Sequence, residues 1–112
     1  MMQPWEIWLC EFTREGAHPC VLFTHGRVLN NPDLDRVNVL FCRTLRGPRR
    51  RELRAGEILL DRADGLDWET LCHCDVIHYV AKNTLLERRG LVCYERQRQI
   101  SQAILRFFPF IW

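Results

Sequence analysis

The stretch Glu6-Ile7-Trp8-Leu9-Cys10-Glu11-Phe12 decides the fold, because large apolar side chains occupy both its odd-numbered and its even-numbered positions. In an extended chain these two sets point to opposite faces. The stretch therefore predicts a strand that is apolar on both faces. Residues 13–17, which follow it, are mostly small or polar and predict a short turn.

Four further strands are predicted downstream. His18-Pro19 begins the second, which continues over residues 20–24, since proline is tolerated at the first residue of a strand. Turn-forming residues are dense from position 26 to position 36, and they predict a long excursion with at most one helical turn. The remaining three strands are predicted over residues 37–42, Glu57–Leu60 and 70–80.

The C-terminal part changes from strand to helical periodicity. Apolar side chains recur at helical spacing from Ile100 to Phe108, while Arg and Gln residues cover the other face, so a helix is predicted over residues 94–108. Short strands followed by one amphipathic helix predict a mainly β (α+β) fold, a small curled antiparallel barrel packed on that helix. The length of 112 residues predicts a single domain, residues 1–112.

Composition and cysteine content exclude several classes of protein. The chain is 47% apolar and 27% charged, as ordinary globular domains are. No apolar run approaches the roughly 18 residues of a membrane-spanning helix, and no export signal precedes the first strand, so a cytoplasmic location is expected. The six cysteines are therefore predicted to be free thiols, with Cys10, Cys20 and Cys42 in the core.

Basic and acidic residues are nearly equal in number, but several of the basic residues are clustered in one segment. The net charge of +2 does not by itself imply a nucleic-acid partner. Arginine pairs bidentately with phosphate, so the cluster predicts contact with single-stranded RNA or an acidic partner; the alternative is a solvated loop. The cluster consists of Arg43, Arg46, Arg49, Arg50, Arg51 and Arg54.

The sequence Cys72-His73-Cys74, with His78 beyond it, contains typical zinc ligands at an unsuitable spacing. In a regular strand Cys72, Cys74 and His78 would share one face and His73 would lie on the other. No metal site is therefore predicted. The chain also has no phosphate-binding loop or dinucleotide-binding turn, and no cofactor is expected.

Several segments, in their order along the chain, resemble the PemK/MazF family of toxin–antitoxin growth inhibitors. The resemblance covers nearly the whole chain. It implies a small SH3-like antiparallel barrel, a homodimer, metal-independent cleavage of single-stranded RNA, and neutralisation by a short antitoxin. The segments are Trp5-Glu6-Ile7-Trp8-Leu9, His18-Pro19-Cys20-Val21-Leu22, residues 37–44, Asp64-Gly65-Leu66, Cys74-Asp75-Val76, Lys82 with Leu85, and Gly90-Leu91.

The resemblance also implies where the site lies. The family has an arginine before the proline of the second strand, where this chain has His18, and a threonine at the end of the third strand, where this chain has Thr44. Cleaving RNA without a metal needs a base, a cation at the phosphate and an acid, and imidazole serves as either base or acid near neutrality. The predicted catalytic residues are His18, Arg43, Thr44 and Arg14. The predicted RNA-binding residues are Arg46, Arg49, Arg50, Arg51 and Arg54.

Two questions stay open at the level of sequence. His18 and Thr44 are also ordinary residues for a strand start and a strand end, so the alternative function is a non-catalytic barrel that binds RNA or a protein partner. The terminus, residues 107–112, is more apolar than a monomer leaves exposed. It is expected to be covered by its own barrel, by a second copy or by an antitoxin.

Overall fold

Six antiparallel strands form one sheet in the computed structural model, which describes residues 1–49 and 51–111. The order of strands across the sheet is β4-β5-β3-β2-β1-β6. The helices are α1 (Gly26–Leu29) and α2 (Tyr94–Phe107), and two single 3₁₀ turns cover Arg62–Asp64 and Lys82–Thr84. The strands are β1 (Glu6–Phe12), β2 (Gly16–Leu22), β3 (Arg36–Thr44), β4 (Glu57–Leu60), β5 (Thr70–Ala81) and β6 (Leu85–Leu91).

The hairpin that joins β1 to β2 is tighter than the sequence predicted. Phe12 pairs with Gly16 across a loop of residues 13–15, and Gly16 takes a left-handed φ of 81°. Glycine adopts that conformation without strain, and it commonly closes short hairpin loops. The predicted turn over residues 13–17 and strand over residues 18–24 are therefore wrong at their boundaries, since β2 begins at Gly16 and ends at Leu22.

The mainly β class is confirmed, but the sheet is not closed into a barrel. β4 and β6 are its two edges, and within the described residues they do not pair with each other. β4 has only four residues and pairs solely with β5. The predicted strand Glu57–Leu60 is confirmed, as is a helix that starts at Tyr94, whereas β6 was not predicted.

Apolar clusters cover both faces of the sheet. On one face, Val21, Leu40 and Cys42 pack with Ile100 and Ile104 of α2. On the other face lies a second cluster with no helix as long as α2 on it: Cys10, Phe12, Cys20, Leu22, Leu29, Val37, Val39 and Phe41. Cys10, Cys20 and Cys42 are fully buried free thiols, which confirms their predicted place in the core.

A buried charge network fixes the start of α2 against the 3₁₀ turn after β4. The side chain of Asp64 is fully buried and accepts hydrogen bonds from the backbone N–H groups of Asp61 and Cys93, each 2.9 Å long. The Arg96 guanidinium contacts Asp64 and also lies 2.6 Å from a carboxylate oxygen of Asp61. Arg96 lowers the pKa of Asp61 and has its own pKa raised by these carboxylates.

The chain after α2 is only partly covered. Phe108 packs against the helix-side core, and its ring centroid lies 6.4 Å from that of Phe110. Phe110 is 53% exposed and Ile111 is 97% exposed, so the expectation that this chain's own sheet covers the whole segment is not met. Trp112 lies outside the described residues. None of the described helices has the length and apolarity that crossing a bilayer requires.

Candidate functional site

A groove forms where the ends of several strands meet beside the β1–β2 hairpin. Its volume is about 660 Å³. We call it the His18 groove. It is lined by Leu9, Ala17, His18, Pro19, Thr44, Arg46, Gly47, Trp68 and Arg89.

The His18 ring makes a hydrogen bond to the backbone near the start of β2. Its Nε2 atom lies 2.9 Å from the backbone oxygen of Glu15. A carbonyl oxygen only accepts hydrogen bonds, so Nε2 carries the proton and donates it. In the neutral ring Nδ1 then has a free lone pair, and this nitrogen is the one that can take a proton from a bound molecule.

The two residues predicted at the end of β3 point in different directions. Thr44 is half-buried and lines the His18 groove. Arg43 is exposed and, as the preceding residue of the strand, faces the opposite side of the sheet. There its charge contributes to lowering the pKa of His73. His18 and Thr44 thus line one groove that Arg43 does not. The His18 ring itself lies on the Arg43 side of the sheet, where its centroid is 5.1 Å from that of Phe41.

Two groups in the His18 groove were missed by sequence reasoning. Trp68 is 66% exposed, and Arg89 reaches the groove from the edge strand β6. Together with Arg46 they place one aromatic ring beside two guanidinium groups. The available signal was a tryptophan three residues after Gly65, next to Asp67 and Glu69, because a large aromatic residue among charged loop residues is often not part of the core.

The remaining predicted RNA-binding arginines are not gathered in this groove. Arg49 and Arg54 are exposed in the loop between β3 and β4, and Arg50 lies outside the described residues. Arg51 donates two hydrogen bonds of 2.7 Å to the carboxylate of Glu57, and this pairing lowers the pKa of Glu57 to about 2. Arg51 is thus paired with Glu57 within the protein and is not a free cation for RNA.

The predicted face of His78 is wrong, because β5 has an irregular register opposite β3. Cys42 pairs with Cys72 but Leu40 pairs with Ile77, so five residues of β5 span the distance of two in β3. This bulge turns His78 to the side of His73. The ring centroids of His73 and His78 lie 6.1 Å and 5.8 Å from that of Phe41.

His73 is the most constrained of the histidines in this cluster. Burial lowers its pKa, its Nδ1 atom lies 3.8 Å from the Glu57 carboxylate, and its Nε2 atom is buried without a hydrogen-bond partner among the described residues. In the part of the chain that the structure describes, no three His, Cys, Asp or Glu side chains form a metal-binding group.

Arg14, the fourth predicted catalytic residue, lines a different groove. That groove has a volume of about 400 Å³ and lies on the other side of the β1–β2 turn. We call it the Tyr79 groove. It is lined by Glu11, Phe12, Thr13, Arg14, Glu15, Arg36, His78, Tyr79, Val80, Ala81 and Thr84.

Comparison with solved structures gives clear similarities. The Mycobacterium tuberculosis toxin MazF-mt6 is 21% identical with a TM-score of 0.77, over 96% of this chain and 99% of that one. An endoribonuclease in complex with its cognate antitoxin, from a mycobacterial species, is 17% identical with a TM-score of 0.77, over 100% and 99% of the two chains. A further M. tuberculosis toxin is 23% identical with a TM-score of 0.71, over 92% and 99%. No protein-family model matches the chain, and no curated protein matches it.

These likenesses cover at least 92% of this chain, and the chain therefore has the fold of small endoribonuclease toxins. Within that class it has the MazF fold, which confirms the resemblance found in the sequence segments. Because each reported identity is below 25%, the likeness establishes the fold, and the chemistry has to be argued from the groove.

Proposed function

We propose that the protein is the single-domain toxin of a toxin–antitoxin pair and cleaves single-stranded RNA by attack of the 2′-hydroxyl group on the adjacent phosphate. One observation carries the proposal: a histidine, a threonine, two arginines and an exposed tryptophan line the His18 groove, in a fold that the protein shares with endoribonucleases. Aromatic rings that stack bases and cations that hold phosphates are the usual elements of single-strand recognition.

The proposed reaction assigns each step to a side chain of the groove. Nδ1 of His18 takes the proton of the 2′-hydroxyl group, and the 2′ oxygen forms a bond to phosphorus. The bond from phosphorus to the 5′ oxygen breaks, and this oxygen takes its proton from solvent, because the groove is open. The products are a 2′,3′-cyclic phosphate and a 5′-hydroxyl end, and no step uses a metal.

Charge that develops on the phosphate is stabilised by Arg46, Arg89 and the hydroxyl group of Thr44. Such donors contribute most when they face the charge that appears in the transition state. Arg43 was the cation predicted at the phosphate, but it does not line the His18 groove, so Arg46 and Arg89 are the better candidates.

The partners follow from the same proposal. The substrate is single-stranded RNA, which places the protein in the cytoplasm. The solved endoribonuclease–antitoxin complex supports a cognate antitoxin as the protein partner. The resemblance further implies a homodimer, and the exposed Phe110 and Ile111 supply apolar surface for a second copy or for the antitoxin.

The test is incubation of the purified protein with labelled single-stranded RNA in EDTA. A ladder that ends in 2′,3′-cyclic phosphate supports the proposal. His18→Ala should lower the rate at least about 100-fold, the usual contribution of a general base. His25→Ala is the matched control, because His25 is exposed at the start of α1 and lines a different surface.

Two outcomes would contradict the proposal in different ways. Intact RNA that still shifts in a binding assay supports the alternative, a non-catalytic protein that binds RNA. Equal cleavage rates for His18→Ala and His25→Ala would remove His18 from the mechanism while leaving the activity in place.

A further inference from the structure

We infer that the Tyr79 groove is a second nucleotide-binding subsite, which holds the same RNA strand that passes through the His18 groove. The inference rests on the proposed function, since it concerns how the RNA strand continues beyond the cleaved bond. It gives a role to Tyr79 and Arg36, to which neither the sequence analysis nor the proposed reaction assigned one.

The strand register places a cation over an exposed aromatic ring in this groove. Asn38 pairs with Tyr79 and Arg36 pairs with Ala81, so Arg36 and Tyr79 are diagonal neighbours on one face of the sheet. The Cζ atom of Arg36 lies 6.0 Å from the centroid of the Tyr79 ring, which is within cation–π distance. Tyr79 is 64% exposed, because β4 pairs only with residues 70–73 of β5 and leaves this end of the strand without a neighbour on that side, so most of its ring is available to a ligand.

Arg14 adds a second guanidinium group from the β1–β2 turn. The groove therefore repeats the combination found in the His18 groove, one exposed aromatic ring with two arginines. A base stacks on such a ring whatever its identity, because every base has a π-face, and the arginines pair with the flanking phosphates.

The two grooves are joined by the β1–β2 hairpin. Residues 13–15 line the Tyr79 groove, and residues 17–19 line the His18 groove. A strand that leaves the His18 groove and follows the hairpin meets Arg14 and then Tyr79. The volume of about 400 Å³ lies within the range of small-molecule sites and suits one nucleotide rather than a folded partner.

The groove carries charges of both signs, and its exposed aromatic ring favours RNA over an acidic protein segment. Glu11 and Glu15 line the same groove as Arg14 and Arg36. Carboxylates accept hydrogen bonds from the amino groups of bases, but they repel phosphates and peptide carboxylates alike, so the preference for RNA rests on the exposed Tyr79 ring, on which a base stacks. A neutral base between charged phosphates satisfies both sets of side chains.

The experiment measures binding of 2′-deoxy-substituted oligonucleotides, which cannot undergo the proposed reaction, by fluorescence anisotropy. Two lengths are used, about 4 and about 12 nucleotides, which bracket the span of a single-strand site. Tyr79→Ala should weaken binding of the longer oligonucleotide between about 5-fold and about 150-fold and leave the shorter one unchanged. Tyr79→Phe keeps the stacking ring and should bind as the unmodified protein does.

Tyr94→Ala is the matched control, because Tyr94 is a tyrosine of α2 that is 74% exposed and lies outside both grooves. The double substitution of Arg14 and Arg36 by Ala should lower the slope of log affinity against log salt by about 1.4, the value for two phosphate contacts to a single strand. Circular dichroism of each variant shows whether it is folded.

The outcomes separate this inference from the proposed function. If the unmodified protein neither binds nor cleaves RNA, the proposed function fails and the inference fails with it. If the protein binds RNA and Tyr79→Ala equals Tyr94→Ala at both lengths, the inference is overturned and the proposed function stands. If Tyr79→Ala weakens binding of polyglutamate but not of RNA, the groove is a protein-binding site and the inference is likewise overturned.

Discussion

Replacing Arg96 by Met tests how the chain holds α2 on the sheet. Arg96 neutralises Asp64, whose side chain is fully buried, and the variant leaves that carboxylate with only the backbone N–H groups of Asp61 and Cys93. Methionine keeps the unbranched stem and a comparable helix propensity, so the charge and its hydrogen bonds are the main things removed.

The expected loss of stability in Arg96→Met follows from how exposed each charged group is. Removing one partner of a buried ion pair costs about 3–5 kcal/mol. The Arg96 and Asp61 side chains are 22% and 36% exposed, so solvent screens the contact between them, and only the contact with Asp64 counts fully. We therefore expect a loss of about 3 kcal/mol. With about 2.1 cal/mol/K of unfolding entropy per residue, Tm should fall by about 13 °C.

The assay is thermal unfolding followed by circular dichroism at neutral pH. Arg98→Met is the control, because Arg98 is an exposed arginine on the same helix, and its loss should change stability by less than about 0.5 kcal/mol. If both variants have the same Tm, the buried network contributes nothing measurable and the reasoning is refuted.

Two further predictions concern close packing and pH. Gly90→Ala should destabilise the protein by about 1–3 kcal/mol in urea unfolding, because a Cβ atom there would collide with the Asp64 backbone oxygen, whereas Gly26→Ala should change little, since its Cβ would meet nothing closer than 3.8 Å. A larger loss for Gly26→Ala would contradict this. The pKa of Glu57 is lowered from 4.5 to about 2 by Arg51, so its stabilising effect is complete above pH 4.5 and is lost as pH falls through about 2. In Arg51→Ala, acid unfolding should therefore begin at higher pH at low salt, and an unshifted acid transition would show that the pair is not formed in solution.

The sequence predicted the elements whose pattern depends on local chemistry. β1 and α2 show clear apolar periodicity, and both were predicted within one residue of their observed ends. β6 was missed because its central residues Glu87, Arg88 and Arg89 are all exposed on an edge strand, which produces no alternation. The irregularity in β5 that turns His78 toward Phe41 has no signature in the sequence either, because it depends on pairing with β3.

The residues of the candidate site likewise fall into those that the sequence predicted and those that it missed. His18 and Thr44 were predicted because the resemblance marks both positions, and their strands β2 and β3 are neighbours in the sheet. Trp68 and Arg89 come from a loop and an edge strand far away along the chain, so only the three-dimensional fold brings them to the same groove. Local patterns predict which residues have suitable chemistry; the topology decides which of them meet.

The resemblance implies an arginine at the position where this chain has His18, and the presence of histidine there is consistent with the other residues of the groove. A guanidinium group stays protonated and supplies charge but cannot take a proton near neutral pH, whereas imidazole can take a proton and supplies little permanent charge. With a histidine at position 18, the cations of the groove have to come from other residues, and Arg46 and Arg89 line it. In the proposed reaction, base and cation are thus separate side chains, and substitution can separate their contributions.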